Sequence, residues 1–381
     1  MRKPSMPDPM PTLTIAVLPG DGIGPEVIHQ SLRVLDTVAK KFGHHFEYRF
    51  GQIGATAIRS TGSPFPSETL ELCKTSDAIL FGAVGDPSFD NDPSAKVRPE
   101  QGLLSMRKEL GLFANIRPVQ TYPALHHLSP LKSNRLKNTD LIIYRELTGG
   151  IYFGEKKSSA DGQWALDTCT YSVDEINRIG RLAFSHALQR KKRLCLIDKA
   201  NVLETSRLWR KTIAELSLEY PEVQTEYMFV DNAAMQLILH PAQFDVILTE
   251  NMFGDILSDE ASVLAGSLGL LPSASIGTGP SLFEPIHGSY PQAAGKDIAN
   301  PIGSILSTAM LLESLGLMEE AQSIKEAVDW SIQNGFVTKD IDPVNFYFTS
   351  TIGELLCDYM TNRVDEAVHK ANIQIRKSTI I

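Results

Sequence analysis

Short apolar runs rich in β-branched residues alternate along much of the chain with longer segments whose apolar positions recur every three or four residues. TIAVLP (14–19) precedes PEVIHQSLRVLDTVAKKF (25–42), AILFGAVG (78–85) precedes QGLLSMRKEL (101–110), and RLCLID (193–198) precedes ETSRLWRKTIAEL (204–216). A strand followed by an amphipathic helix, repeated, predicts an α/β protein with a partly parallel sheet. The later segments 255–269, 300–316 and 319–335 predict mostly helix. Residues 121–137 and 149–170, rich in Ser, Gly, Asp and Lys, are expected as loops or an exposed hairpin, one of which could grip a second subunit.

Size and charge narrow this picture. A chain of 381 residues exceeds what one core holds, since single cores stop growing at roughly 250–300 residues, so two lobes and a cleft are expected. The composition, 43% hydrophobic and 21% charged, is that of an ordinary globular protein. A formal net charge of −9, with no Lys/Arg run longer than Arg190–Lys191–Lys192–Arg193, argues against a nucleic-acid partner. Cys73, Cys169, Cys195 and Cys357 lie far apart with no C-x-x-C pair, as expected for reduced thiols in a cytoplasmic protein. The start MRKPSMPDPMPTL reads as a frayed arm and not a targeting segment. No window approaches the roughly 20 apolar residues of a membrane span.

Gly20, Gly22 and Gly24 in LPGDGIGPE sit between a strand and a helix, but their G-x-G-x-G spacing is not the dinucleotide fingerprint, and Asp36, inside the helical pattern, is no substitute for the missing strand-end acid. A tight turn that needs backbone freedom is the better reading.

Candidate chemistry concentrates elsewhere. In NMFGDILSDE, Asp255 and Asp259 stand four apart on one helix face, where like charges repel by a few tenths of a kcal/mol. A divalent cation would offset that, and oxygen-only ligands favour Mg²⁺ or Mn²⁺; the other reading is a solvated acidic face. Asp231, at a strand-to-helix junction, is either a third ligand or an N-cap. Arg145 after LIIY and Lys199 after RLCLID lie at expected strand ends, where open α/β sheets meet ligands. Arg107 and Arg117 flank KELGLFANI and converge on one anion if a helix leads into a strand there. Several arginines suit a substrate with more than one carboxylate. Lys199, if desolvated, could act as a base, or could simply pair with Asp198. Tyr152 is either a proton donor or a packed aromatic.

The ordered motifs GDGIGPE, GLLSMRKELGLFANIRP, RELTGGIYFGE, DKANVLE, NMFGDILSDEAS, GLLPSAS, FEPIHGS and GKDIANP span nearly the whole chain. On these motifs the sequence resembles the β-decarboxylating dehydrogenases, the family of isocitrate and 3-isopropylmalate dehydrogenases. The resemblance implies a two-lobed, non-Rossmann α/β fold with mixed sheets flanked by helices. It places residues 1–112 and 266–381 in a discontinuous cofactor-binding domain and residues 113–265 in a domain for dimerisation, metal and substrate. It further implies active sites shared across a homodimer, with Lys199 and Asp231 reaching in from the other subunit.

Carried over residue by residue, the resemblance makes Arg107, Arg117 and Arg145 the carboxylate binders. Asp255, Asp259 and the partner's Asp231 become the Mg²⁺ or Mn²⁺ ligands, with Asp231 also beside the substrate. Lys199 becomes the base and Tyr152 the acid. Leu103 and Leu104, with Val202, form an apolar wall that suits an isopropyl substituent, so 3-isopropylmalate is the implied substrate; D-malate, tartrate, homoisocitrate and isocitrate are the alternatives. The leucines also read as ordinary helix core. The cofactor is expected along Ile23, Glu100, His287, Gly288, Ser289, Gln292 and Asn300. NAD-dependent relatives commonly carry an Asp for the ribose hydroxyls where this chain has Gln292, and NADP-type relatives a Lys-Tyr pair where it has Gln292-Ala293; without a cation for the extra phosphate, NAD is expected. The tail after about Tyr359 is longer than the family needs and has no assigned role. Readings from other classes are a catalytically idle dimeric scaffold and a metal-free Rossmann hydroxyacid dehydrogenase.

Overall fold

The run TIAVLP forms the buried part of β1 (Thr12–Gly20), parallel to β2 (His45–Phe50) and β3 (Ala78–Ala83), in the order β2-β1-β3. AILFGA is buried along its whole length because both faces of β3 are covered, which is why it reads as a continuous apolar run and not an alternating one. The helix Gly24–Phe42 follows β1, with Pro25 and Glu26 in its first turn and Lys40 and Lys41 in its last, charges that complement the helix dipole. Its stripe Val27, Ile28, Ser31, Val34, Leu35 and Val38 is buried and packs near the helices Ile302–Ser314 and Thr349–Met360. Each large side chain buried there contributes roughly 1.5–3 kcal/mol.

The glycine turn takes the form expected of it. Gly20 and Gly22 have φ of 71° and 59°, and a Cβ on either would lie 1.9 Å from the Ala83 carbonyl oxygen or 2.0 Å from that of Ser289. The Ile23 amide at the start of the following helix donates to the Ser289 carbonyl at 2.7 Å, so the chain itself occupies the donor that a Rossmann pyrophosphate would use.

A computed structural model describes residues 12–90 and 97–364. The start before Thr12 and the tail beyond Val364 lie outside the described residues. The chain divides into two compact units, residues 1–102 with 288–381 and residues 103–287. The divisions thus fall at Gly102/Leu103 and His287/Gly288, where the sequence reading put them at 112/113 and 265/266. The hairpin of β11 (Pro272–Gly277) and β12 (Ser281–Pro285) accounts for one difference, because β11 pairs with β4 (Leu112–Gln120) of the second unit.

In the second unit the order is β12-β11-β4-β5-β10-β8-β9, with β5 (Asp140–Glu146), β8 (Arg193–Asp198), β9 (Gln224–Phe229) and β10 (Val246–Thr249). β12, β11, β4 and β5 pair antiparallel; β5, β10, β8 and β9 pair parallel. The sheet is mixed, as expected. Helices Val173–Gln189 and Glu204–Ser217 cover it, the first opened by a capping box of Ser172 and Glu175. Within residues 149–170 a separate exposed hairpin forms from β6 (Lys156–Ser158) and β7 (Ala165–Asp167). Among the described residues no helix is long and apolar enough to cross a membrane.

Candidate active site

Helix Glu100–Glu109 leads directly into β4, so Arg107 on its last turn and Arg117 on the strand belong to one helix-to-strand unit, as the flanked motif requires. Arg145 stands at the carboxyl end of β5, beside β4. The guanidinium groups of Arg107 and Arg117 both act on that of Arg145. Burial pushes Arg145 down to about 10, Asp255 opposes this, and Arg117 and Arg107 add to it by repulsion. Arg145 therefore stays charged at neutral pH.

Each arginine has an acidic partner on a different element. Arg107 donates to Glu284 on β12 at 2.9 Å, while its buried Nε has no hydrogen-bond partner. Arg117 donates to Asp259 at 2.9 Å, to the Ser258 hydroxyl at 2.7 Å and to Asn115 Oδ1 at 2.7 Å. Arg145 pairs with Asp255 and donates through Nε to Asn251 Oδ1 at 3.0 Å. The repulsion expected between Asp255 and Asp259 on helix Asn251–Ser262 is thus offset by two arginines.

Tyr152, in the short turn Gly150–Tyr152, donates its phenol to the other oxygen of Asp255 at 2.9 Å and lies beneath the Arg145 guanidinium. It is part of the charged cluster and not a packed aromatic. Desolvation, then the hydrogen bond and charge of Asp255, raise its pKa, so the phenol keeps its proton.

Lys199 follows β8 directly and donates to Asp231 at 2.6 Å. Asp198 is not its partner. Arg210 holds the buried Asp198 carboxylate with two hydrogen bonds of 2.8 Å, which fixes the strand end that carries the lysine. Asp231 lies in the first turn of helix Val230–Leu239, whose N-cap position belongs to Phe229, so the capping alternative is not realised. The hydrogen bond from Lys199 holds its carboxyl below the usual range. Lys199 keeps 27% of its side-chain surface exposed. Among the described residues no three His, Cys, Asp or Glu side chains converge as a metal site, so Asp231 does not join Asp255 and Asp259 within one chain. Leu103 is half-buried, and Leu104 and Val202 are exposed.

In the first unit, Ile23 is buried with Val27, Ala293 and Ala299, and its amide holds Ser289. Ser289 and Glu100 both flank Gly85. Three of the sequence-selected cofactor residues, Ile23, Glu100 and Ser289, are thereby brought together. The segment that follows is pinned by Glu26, which accepts from the Gly295 amide, and by Asp297, which accepts from Ser350. Asn300 is buried, its amide donating to Asp340 at 3.0 Å and its oxygen capping Ile302, so it acts here as a helix anchor. Gln292 and Gly288 are exposed; His287, half-buried, closes the second unit.

Sequence reading missed Glu284, Asn115, Ser258 and Asn251, and also Asp21. The Asp21 carboxylate is buried and accepts from the amides of Ala55, Thr56 and Gly85 at 2.8–3.0 Å, tying the glycine turn to the first turn of helix Gly54–Thr61 and to the loop after β3. Its buried neighbours are far away in sequence, and only its place between Gly20 and Gly22 in GDGIG hinted at a role. Glu250, also missed, is buried with one oxygen unpartnered. Burial, then the nearby Glu146, pushes its carboxyl up to about 7 from the ordinary 4.5. Between those values the folded chain holds a proton that the unfolded chain releases, so stability is full below pH 4.5 and falls as pH rises through 7, by about 3 kcal/mol. Glu250→Gln is expected to flatten that slope and raise the melting temperature at pH 8 but not at pH 4.5. Parallel melting curves for both proteins across that range would show that Glu250 carries no such proton.

A mixed α/β sheet thus brings three arginines, a protonated tyrosine and two helical carboxylates to one site, the fold and side-chain set of an α/β protein with a cationic, carboxylate-lined centre. Residues 14–356 match the family described as isocitrate/isopropylmalate dehydrogenase, and the chain belongs to that family. It is 54% identical over 348 residues to a 3-isopropylmalate dehydrogenase of Bacteroides fragilis, covering 91% of this chain and 98% of that one. It is 50% identical over 366 residues to a 3-isopropylmalate dehydrogenase of Heyndrickxia coagulans, covering 95% and 99%. Among solved structures it is similar to an isocitrate dehydrogenase from Methylococcus capsulatus, with TM-score 0.81, 32% identity and coverage of 92% and 100%. It is also similar to a beta-decarboxylating dehydrogenase from Thermococcus kodakarensis in its apo form, with TM-score 0.78, 36% identity and coverage of 92% and 96%. As a member of this family the chain is a decarboxylating oxidoreductase.

Proposed function

We propose that the protein oxidises and decarboxylates 3-isopropylmalate to 4-methyl-2-oxopentanoate with NAD as hydride acceptor, a step of leucine biosynthesis, as a cytoplasmic homodimer with shared active sites. The observation that carries this reading is the joint placement of Arg107, Arg117 and Arg145 beside Asp255 and Tyr152, on the helix-and-strand unit that also bears Leu103 and Leu104. Relatives named 3-isopropylmalate dehydrogenase, about half identical over most of the chain, support the substrate. The four free thiols support the compartment.

The dimer rests on an apolar surface. Met235, Ile238 and Leu239 on helix Val230–Leu239, Ile256 on helix Asn251–Ser262, and Val263 just after it are large side chains left exposed. A second copy would cover such faces by a two-fold axis. The same helices carry Asp231 and Asp255 with Asp259, so pairing them across the axis offers a route for Asp231 of the partner subunit to complete the acidic set. The exposed hairpin β6–β7, with Trp164 and Leu166 outward, supports the expected subunit clasp.

The acidic set fits a hard cation, because its donors are all carboxylate oxygens. Two carboxylates are too few for a Mg²⁺ or Mn²⁺ ion, so Asp255 and Asp259 would hold it with the partner subunit's Asp231 and substrate oxygens. The segment from Gly288 to Asn300, anchored at both ends, with Ile23, Glu100 and His287, would hold NAD; exposed Gln292 offers ribose hydroxyls an amide but offers a 2′-phosphate no charge. When bound, NAD would supply the hydride acceptor and the cation would supply Lewis acidity at the substrate oxygens.

The chain's own residues do the rest. Arg107, with its unpartnered Nε, and Arg117 and Arg145 orient the carboxylates bidentately. The partner subunit's Lys199 takes the hydroxyl proton as the alcohol becomes a ketone. Tyr152, kept protonated beside Asp255, gives a proton to the enol carbon once CO₂ has left. Leu103 and Leu104, with Val202, face the isopropyl group, where a third carboxylate would be buried without a partner.

The test follows nicotinamide reduction with 3-isopropylmalate and Mn²⁺, running NAD and NADP in parallel and D-malate and isocitrate as controls. The expected result is NAD-linked turnover of 3-isopropylmalate well above both controls. A preference for D-malate or isocitrate would remove the apolar-wall reading while leaving the family in place.

A further inference from the structure

We propose that Asn251 sets the placement of Arg145 and Tyr152 together, as a positioning residue of the decarboxylating reaction; this rests on the roles given to those two side chains above. Asn251 opens helix Asn251–Ser262 and is almost wholly buried. Its Oδ1 accepts from Arg145 Nε at 3.0 Å, its Nδ2 donates to the Gly149 carbonyl at 3.2 Å, and its backbone amide donates to the Tyr171 phenol oxygen at 3.0 Å. The side-chain amide has one possible orientation, because a guanidinium only donates and a carbonyl only accepts.

Gly149 is the first residue before the turn Gly150–Tyr152, so the Nδ2 bond fixes the backbone that carries the phenol. The same turn is held from its other side. Glu146, next to Arg145 on β5, accepts from the amides of Gly149 at 2.7 Å and Thr148 at 3.0 Å, and the Tyr171 ring packs against Gly149 and Gly150. Asp255 then receives both Arg145 and Tyr152. A carboxylate-binding arginine and a proton-donating phenol thus depend on the two ends of one amide. Aspartate keeps the acceptor for Arg145 but sets a lone pair against the Gly149 carbonyl. Alanine loses both ends.

Asn251→Asp, Asn251→Ala and Tyr152→Phe are compared with the unsubstituted enzyme in steady-state assays with 3-isopropylmalate, with melting temperatures measured alongside. A displacement of about 1 Å at a reacting group can cost on the order of a hundredfold, so Asn251→Asp is expected to lower kcat at least about tenfold with KM within about threefold. Asn251→Ala is expected to lower kcat similarly and to raise KM about tenfold, because Arg145 is also released. If the alanine variant does not fold, the near-isosteric aspartate variant decides. An Asn251→Asp enzyme with kcat within twofold, or one changed only in melting temperature, overturns the inference. Unchanged kcat in Tyr152→Phe would instead overturn the assignment of Tyr152 as the acid, and the inference with it.

Discussion

Replacing Lys199 with methionine is expected to lower kcat by about a thousandfold, within the range that a positioned acid or base supplies. The backbone of Lys199 is held by Ser206 at 3.1 Å and by the Asp198–Arg210 clamp, neither of which uses its side chain. Its ammonium pairs with Asp231 and its side chain is partly exposed, so methionine removes one ion pair while keeping the length of the chain. Fold and substrate affinity are therefore expected to persist while turnover collapses. The check is kcat by nicotinamide reduction together with a melting curve. A kcat within tenfold of the unsubstituted enzyme at unchanged melting temperature would remove Lys199 from the proton transfer.

Asp255→Asn is expected to be as damaging, for a different reason. The carboxylate has three roles in the proposed site: partner of Arg145, acceptor for the Tyr152 phenol, and ligand of the divalent cation. The amide keeps the shape and loses the charge, so Mn²⁺ binding read by calorimetry should weaken sharply. Lewis-acid stabilisation worth several kcal/mol goes with it, on the order of a thousandfold in kcat. The two inactive variants together test the shared site. If Lys199 serves the site of the other subunit, mixed Lys199→Met and Asp255→Asn dimers each contain one complete site. Random pairing of equal amounts should then restore roughly a quarter of the normal activity. No recovery after subunit exchange would place lysine and aspartate in the same chain's site.

Much of this site is legible in the sequence because its parts obey local rules. An apolar run followed by a charged residue marks a strand end, and that rule places Arg145 and Lys199 correctly at the ends of β5 and β8. The four-residue spacing of Asp255 and Asp259 predicts a shared helix face, and each carboxylate meets an arginine there. The glycine turn is legible as a turn and not a nucleotide fingerprint because spacing alone separates the two. Asp231 and Tyr152 were open between structural and chemical readings on local grounds. Only the structure sets Asp231 against Lys199 and Tyr152 against Asp255, outside a capping position and outside a packed core.

The partners of the arginines were not legible. Glu284 meets Arg107 only because β12 returns beside β11, and β11 beside β4. Nothing in FEPIHGS announces that return. Asn251 reads as an ordinary helix start, yet its amide joins β5 to the Tyr152 turn. Glu250 would pass for a surface acid until burial beside Glu146 raises its pKa. Element types, strand-end cations, the acidic helix and, through long ordered motifs, the family are all readable from the order of residues. Which acid answers which arginine, where the units divide and which side chains are buried depend instead on the folded arrangement of strands and helices. The reason is one of range: periodicity and turn chemistry act over a few residues, whereas strand order joins positions more than a hundred residues apart, and no local pattern encodes that pairing.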